Sequence, residues 1–507
     1  MVIAAGAGRR APLVVISNRL PYDLRPRPGG RPPKRNVGGL VNALEPVLAA
    51  RGGSWIGWDG ASLPGAAAVE AGLADPVVFR TSAEIEFRGV PLSEREVGLY
   101  YHGFSNRALW PLFHDFPGKA IFAPEDFTAY RRVNRRFAEV ALARATPGSR
   151  VWVHDYHLML VPGFLRELGF RGRIDFFLHT PFPPAEIFRA LPSREELLRG
   201  LLASDGVAFH VGLYRNNFAD SARTFAGAEV DLAVHDGATS LRHARGDTVA
   251  ASIPIGIDVH DFERIARLPD VVAWGRRLRD AHRNCKILFS ADRLDYTKGI
   301  KERLAVLERF LAAHPERAGH VVLIQIVVPS RHQVEEYRVM KREIDREVGR
   351  INGEYGREGW VPIHYRYRAL DRKELVAHYL AADVALITPL RDGMNLVAPE
   401  FAASRVDEDG VLLVSEFAGI AERSPGAILV NPYDVDGSLA AIDRALAMDP
   451  GERRDRMVTL RERVRSNPAS RWAARCLGDL ASESAPAVSN PAPARTRVVR
   501  TLPRAEP

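Results

Sequence analysis

Residues 290–300, SADRLDYTKGI, place Arg293 and Lys298 five positions apart, just past the apolar run 287–289. Lysine is scarce in this chain, seven residues against 63 arginines, so a lysine at the mouth of a predicted strand stands out. With Asp292 and Asp295 beside them, the two cations could form a surface ion-pair cluster. They could equally clamp a diphosphate, arginine as a forked donor and lysine as a point charge. Other predicted strand ends carry polar groups as well. After 151–153 comes HDYH, with Asp155 between His154 and His157; it could bind sugar hydroxyls or contribute to a metal site, although no third ligand has suitable spacing. His179 follows 174–178, and Arg331 follows 321–328. After 384–387 comes TPLRDGMNLVAPE, with Asp392, Gly393 and Glu400; the Gly393-Met394-Asn395 turn would open a helix whose amides could hold an anion or hydroxyls. Gly38 and Gly39 would open another helix in the same way. Trp55, Trp58, Tyr101 and Trp110 supply rings that suit the face of a sugar or a packed core.

The elements that must present these residues follow from the apolar pattern. Strand-length apolar runs recur at 13–16, 151–153, 174–178, 207–209, 287–289, 321–328, 384–387, 411–414 and 428–430. Helical patterns at 40–50, 137–144, 301–313, 331–348 and 373–381 lie between many of them. Near-continuous apolar strands alternating with helices predict parallel sheets covered on both faces. Ligands of such sheets bind at the carboxyl ends of the strands. A chain of 507 residues exceeds a single core, so two doubly wound α/β domains are expected. A (β/α)₈ barrel fits less well, because 52–100 shows no regular alternation. The join is placed at IPIGIDVHDF, 253–262.

Composition excludes several classes. The chain carries a net charge of +8, but its basic residues are scattered and no zinc-finger or RNA-binding signature occurs, so nucleic acid is not expected as a partner. No run of about 18 apolar residues is present, so no membrane span is predicted. Two cysteines, Cys285 and Cys476, imply no disulfide framework and suit a reducing cytoplasm. The first ten residues put arginines after a short apolar stretch, the reverse of a secretory signal. GAGRRA at 6–11 precedes the first strand, so it fails as a dinucleotide fingerprint. Asp434-Val435-Asp436 reads as a turn rather than a metal site.

Ten segments in order resemble the trehalose-6-phosphate synthase family, retaining glycosyltransferases of the two-Rossmann GT-B fold. They are SNRLP, GGL, WIGW, FSNRALWP, VHDYHLMLVP, FFLHTPFP, RLDYTKGI, INGEYG, TPLRDGMNLVAPE and NPYD, spanning about 12–480. The resemblance implies an acceptor-binding domain over 12–256 and a nucleotide-sugar domain over 257–465. It also implies a helix at 466–483 that returns to the first domain; composition leaves 484–507 as a disordered tail. The implied substrates are a nucleoside-diphosphate glucose (UDP-glucose, with GDP- or ADP-glucose as alternatives) and glucose 6-phosphate, with no cofactor and no metal. Arg293 and Lys298 match the pair that neutralises the donor diphosphate, and Gly39 matches a glycine beside it. Asp392 matches a carboxylate on the donor glucose, next to the run Gly393, Met394, Asn395, Leu396 and Val397. Glu400 matches the ribose-binding acid, and Leu370 stands where an aromatic lies near the base. Arg19, Trp58, Tyr101 and Arg331 match groups around the acceptor phosphate, with Trp55 a rival for the Trp58 position. Asp155 matches a contact to the acceptor sugar. His179 and Trp110 match residues shaping the glucose pocket, Trp110 being counted also among the acceptor contacts.

The implied reaction is front-face transfer with retention, the leaving phosphate assisting deprotonation of the acceptor, so no carboxylate nucleophile is nominated. Departures from the family pattern at Pro399, Thr180 and Leu370 bear on base selectivity more than on the reaction. A homo-oligomer, dimer or tetramer, is expected from the resemblance. The competing readings are a sister transferase with another phosphorylated acceptor, a catalytically silent sugar-phosphate sensor, and a nicotinamide-dependent oxidoreductase.

Overall fold

The structure is a computed structural model that describes residues 12–23, 34–35, 39–61, 77–81, 85–231, 237–282, 284–331 and 334–478. The predicted tail at 484–507, Gly38 and the 6–11 glycine motif lie outside the described residues. Among the described residues, eighteen strands form two large sheets and one short antiparallel pair. In chain order they are β1 (Leu13–Arg19), β2 (Tyr22–Asp23), β3 (Lys34–Arg35), β4 (Gly53–Trp58), β5 (Val77–Arg80), β6 (Glu86–Gly89), β7 (Arg150–His154), β8 (Arg173–Phe177) and β9 (Gly206–Phe209). They continue with β10 (Glu229–Asp231), β11 (Ala238–His243), β12 (Gly246–Ser252), β13 (Lys286–Arg293), β14 (Val321–Val328), β15 (Ile363–Tyr367), β16 (Val384–Ile387), β17 (Val411–Ser415) and β18 (Ile428–Val430).

The first sheet runs β10-β11-β12-β9-β8-β7-β1-β4-β6-β5, and the second β15-β14-β13-β16-β17-β18. Two such sheets rule out the single barrel. The second sheet is parallel throughout. Numbered from its own first strand, its order is 3-2-1-4-5-6, the doubly wound arrangement whose winding reverses between β13 and β16. In the first sheet the corresponding reversal falls between β1 and β7, which pair in parallel. The apolar runs form strands because both faces are covered. On β1, Leu13 and Val15 face the core layer shared by the two halves, while Val14 and Ile16 face the outer layer of the first sheet.

The segment 52–100, which lacks β/α rhythm, holds β4, β5 and β6 and then a wide π-helical stretch, Val97–Leu109, in which Trp110 N–H bonds back to Ser105 O. The helix expected at 331–348 instead begins at Glu335 and runs to Tyr355, because Arg331 takes a left-handed backbone (φ 47°) that cannot start an α-helix.

The chain crosses between the halves twice, side by side. Ile257 and Pro468 form a parallel bridge, and Ala469 N–H donates to Ile257 O at 3.0 Å. A Cβ at Gly256 would sit 1.8 Å from Asn467 O, so only glycine admits this approach. The helix Ala469–Cys476 then packs on the first sheet. Trp472 lies 5.2 Å from Trp152 and 5.1 Å from Phe177, and Arg150 Nη2 donates to Cys476 O at 3.0 Å. No helix among the described residues is long and apolar enough to cross a membrane.

Candidate active site

The two winding reversals face each other, and their loops carry most of the residues singled out above. On the second sheet, β13 ends at Arg293, a short 3₁₀ turn holds Tyr296–Lys298, and Gly299 follows with φ 63°. A Cβ on Gly299 would lie 2.3 Å from Thr388 O, so this glycine lets the turn close onto the end of β16. Lys298, buried, is thereby delivered to the half-buried Asp392, Nζ to Oδ2 2.6 Å. Asn395 Nδ2 donates to the same carboxylate at 3.1 Å. Burial pushes the Asp392 carboxyl up, but Lys298 outweighs it and holds the group below the ordinary carboxylate range. Arg293 remains exposed at the strand tip, its guanidinium 5.7 Å from the Trp110 ring.

The helix Val397–Ser404 carries Glu400, which accepts from Tyr379 Oη at 3.2 Å. Burial raises its carboxyl to about 7, against the smaller pull of Tyr379 and Arg372. Leu370 follows β15 and packs on the shared core, and Met394 is buried in it. Leu396 and Val397 are half-buried at the start of the Glu400 helix. Gly39 begins the helix Gly39–Arg51 after β1.

On the first sheet, Arg19 ends β1 and lies over the Trp58 ring, 4.5 Å from its centroid. It also covers Gly60, where a Cβ would meet the guanidinium at 2.4 Å. Tyr101 meets Trp58 edge-on at 5.7 Å. The two tryptophans part at the pleat, since positions three apart on β4 face opposite sides. Trp55 is fully buried in the shared core, its Nε1 donating to Ser17 Oγ at 2.7 Å, whereas Trp58 stands beside Arg19 and Tyr101.

Asp155 follows β7 with φ 74°, a conformation costly for a non-glycine residue, and its carboxylate accepts from His179 N–H at 3.2 Å. Burial pushes its carboxyl to about 6, although backbone N–H groups and Arg293 favour the charged form. The histidines of HDYH do not converge. His154 turns to His179, ring nitrogens 3.1 Å apart, whereas His157 stacks on Tyr101. Burial depresses both, His157 to about 3. Among the described residues no cluster of three His, Cys, Asp or Glu side chains could hold a metal. Asp434 of the D-x-D caps the helix Val435–Ala447 by accepting from Gly437 N–H at 2.9 Å.

The halves meet directly at the site. A Cβ on Gly393 would lie 2.2 Å from His179 O, so the two loops touch backbone to backbone. Tyr214 Oη donates to Asp392 O at 3.0 Å, and Arg391 pairs with Asp115 at 2.9 Å. Trp110 Nε1 donates to Asp295 Oδ1 at 3.3 Å. Asp295 also accepts from Arg331 Nη1 and from Tyr337 Oη, both at 3.0 Å. Of the five non-glycine residues with positive φ among those described, Asp155, Arg331 and Asn395 belong to this site, so backbone strain concentrates where the loops converge. Sequence reasoning missed Tyr156, Tyr337 and His114, and it read Asp295 only as a possible ion-pair partner. His114 is buried beside Trp110, its Nδ1 2.7 Å from Trp110 O, and burial lowers its ring to about 4. An acid two residues from one cation and three from another was the one signal available for Asp295; Tyr156 stands next to Asp155 inside HDYH, whereas Tyr337 arrives from a distant segment.

The profile of glycosyltransferase family 20 matches residues 11–482. The bifunctional trehalose-6-phosphate synthase/phosphatase of Thermoproteus tenax is 45% identical over 471 residues, which is 91% of this chain and 62% of that protein. The trehalose-6-phosphate synthase of Mycolicibacterium paratuberculosis is 43% identical over 491 residues, covering 95% of this chain and 97% of the relative. The crystal structure of a UDP-forming alpha,alpha-trehalose-phosphate synthase from Burkholderia xenovorans in complex with glucose-6-phosphate superposes with a TM-score of 0.84 at 33% identity, covering 92% of this chain and 99% of that one. With the profile spanning nearly the whole chain and two facing doubly wound sheets that match a solved relative from end to end, this chain belongs to glycosyltransferase family 20.

Proposed function

We infer that the protein transfers glucose from UDP-glucose to glucose 6-phosphate with retention, giving alpha,alpha-trehalose 6-phosphate and UDP. The observation that carries this reading is the meeting of two strand-end clusters across one cleft. Arg293, Lys298 and Asp392 come from one sheet; Arg19, Asp155 and His179 come from the other. The relatives' names agree with the substrates: one is a UDP-forming synthase in complex with glucose-6-phosphate.

In this reading Arg293 and Lys298 take the donor diphosphate, whose charge grows as the glycosidic bond breaks. Cations fixed there favour the transition state over the ground state. The Lys298–Asp392 pair gives Lys298 a fixed direction before the donor arrives, and Asp392 with the backbone of Gly393 to Val397 then holds glucose hydroxyls. Glu400 takes the ribose and Leu370 lies near the base, while Gly39 lets backbone approach the diphosphate. Arg19, Tyr101 and Arg331 surround the acceptor phosphate beside Trp58. Asp155 positions the acceptor sugar, and His179 with Trp110 closes the glucose pocket. The leaving phosphate assists removal of the acceptor proton, so Asp155 positions and does not attack.

The test offers purified protein glucose 6-phosphate with UDP-, GDP- or ADP-glucose in turn, with and without EDTA, and reads the product linkage by NMR. The expected result is an α,α-1,1-linked disaccharide phosphate, made fastest from UDP-glucose and undiminished by EDTA. Folded protein that binds glucose 6-phosphate yet forms no product with any donor would sink the reading.

A further inference from the structure

Asp295 is nearly inaccessible, 1% exposed, and four groups from four segments converge on it. Its own turn supplies Thr297 N–H at 3.0 Å. The loop after β14 supplies Arg331 Nη1 at 3.0 Å, and the helix Glu335–Tyr355 supplies Tyr337 Oη at 3.0 Å. The other half of the molecule supplies Trp110 Nε1 at 3.3 Å. A carboxylate has about four lone-pair positions, so this one is filled. Burial pushes its carboxyl up, but Arg331, Arg293 and Lys298 outweigh burial and keep it ionised.

The arrangement around Arg331 is one-sided. Asp295 and the Tyr337 hydroxyl both engage Nη1. The guanidinium lies over the Trp110 ring, 4.3 Å from its centroid. On its other edge, the one hydrogen bond among the described residues is from Nη2 to Tyr156 Oη at a long 3.5 Å. An arginine pinned at one nitrogen and stacked on a ring keeps its remaining donors in one plane and one direction, the geometry a phosphate needs. The left-handed backbone at Arg331 shows that its placement is imposed by these contacts rather than by local preference.

We propose that Asp295 is a positioning residue for acceptor binding: it aims Arg331 at the phosphate of the acceptor, and its bond to Trp110 ties that aim to closure of the cleft. This rests on the acceptor reading of Arg331 given above. It predicts a selective defect, in which loss of the carboxylate weakens binding of the sugar phosphate and spares the nucleotide.

The test is calorimetry with glucose 6-phosphate, inorganic phosphate and UDP on the wild type, Asp295→Asn, Arg331→Ala and the double variant, with steady-state kinetics alongside. Asp295→Asn should weaken glucose 6-phosphate binding by about tenfold or more, as expected for a lost charge-assisted contact, and move UDP binding by less than about twofold. KM for glucose 6-phosphate should rise more than kcat falls. In the Arg331→Ala background, Asp295→Asn should add almost nothing, because its effect passes through Arg331. Equal weakening of UDP and glucose 6-phosphate, or additive losses in the double variant, would overturn the proposal. If Asp295→Asn fails to fold, Tyr337→Phe keeps the carboxylate and removes one support. It should weaken sugar-phosphate binding by about fivefold with UDP unchanged, and no change would count against the proposal. A wild type that binds glucose 6-phosphate but does not turn over contradicts the transferase reading alone, since the binding comparison still decides the role of Asp295.

Discussion

At the scale of single residues, the proposed chemistry rests on charge held in fixed directions. Lys298 and Arg293 differ in how they are held: Lys298 is buried and ion-paired, whereas Arg293 stands exposed beside a tryptophan ring. Both should matter to the rate. Removing either by Arg293→Ala or Lys298→Ala should cost on the order of 10²–10³ in kcat, the magnitude seen when one oriented electrostatic donor is lost. Initial rates of UDP release check this. Glu400 offers a pH signature. Its carboxyl sits at about 7 because burial penalises the charge, and the ionised form is the better acceptor for ribose hydroxyls. KM for UDP-glucose should therefore rise as pH falls through about 7, and Glu400→Gln should flatten the profile while raising KM throughout. A KM profile for the wild type that is flat from pH 8 to 6 would remove Glu400 from the donor site.

At the scale of elements, glycines and one helix set how closely the two sheets can approach. Gly393 meets the His179 carbonyl with no room for a Cβ. Gly393→Ala should hold the cleft open and lower kcat by more than about tenfold while leaving thermal stability close to wild type, because an open molecule relieves the clash. An equal fall in both would place Gly393 in folding rather than closure. The returning helix Ala469–Cys476 anchors through Trp472, which is fully buried against Trp152 and Phe177. Trp472→Ala should destabilise by about 3–5 kcal/mol, the range for large core truncations, measurable by urea denaturation. Much of this element scale was readable from the chain. The nine apolar runs are all strands, and β14, β16 and β18 have the predicted ends. The strands that were missed, β2 to β6, β10 to β12 and β15, are short, or mix polar residues into a sheet flank, so neither alternation nor a continuous apolar run marked them.

At the scale of the whole molecule, buried histidines shape stability. His114, His154, His157, His179 and His210 are held neutral, burial being the leading cause in each, with His114 lowered to about 4 and His157 and His210 to about 3. Their folded pKa values lie below the unfolded value near 6.5, so the unfolded chain takes up protons first as pH falls. The contribution is therefore present above pH 6.5 and is lost as pH falls below it. Asp155 and Glu400, raised to about 6 and about 7, oppose this in part, because they bind protons more readily in the folded state. The melting temperature should fall steadily from pH 7 to 5, and His210→Phe should make the fall shallower. A melting temperature constant over that range would contradict the neutral burial of these rings.

Residue types and their order along the chain were sufficient for the α/β class, the parallel sheets, the family and the strand ends where polar groups cluster. The family came from the resemblance of ten ordered segments; the rest follows from local physics, since apolar runs of strand length, helical periodicity and loop residues after each strand are properties of neighbours in sequence. What the tertiary structure alone decided is which strand ends meet. The reversal between β13 and β16 sets Lys298 against Asp392, 94 positions away, and the pleat of β4 sets Trp58 beside Arg19 and Tyr101 and Trp55 in the core shared by the halves. Asp295 acquires its four partners only when Thr297, Arg331, Tyr337 and, from the other half, Trp110 are brought together. Such long-range convergence has no periodicity to read, because it is set by the order of strands and the closing of one half on the other.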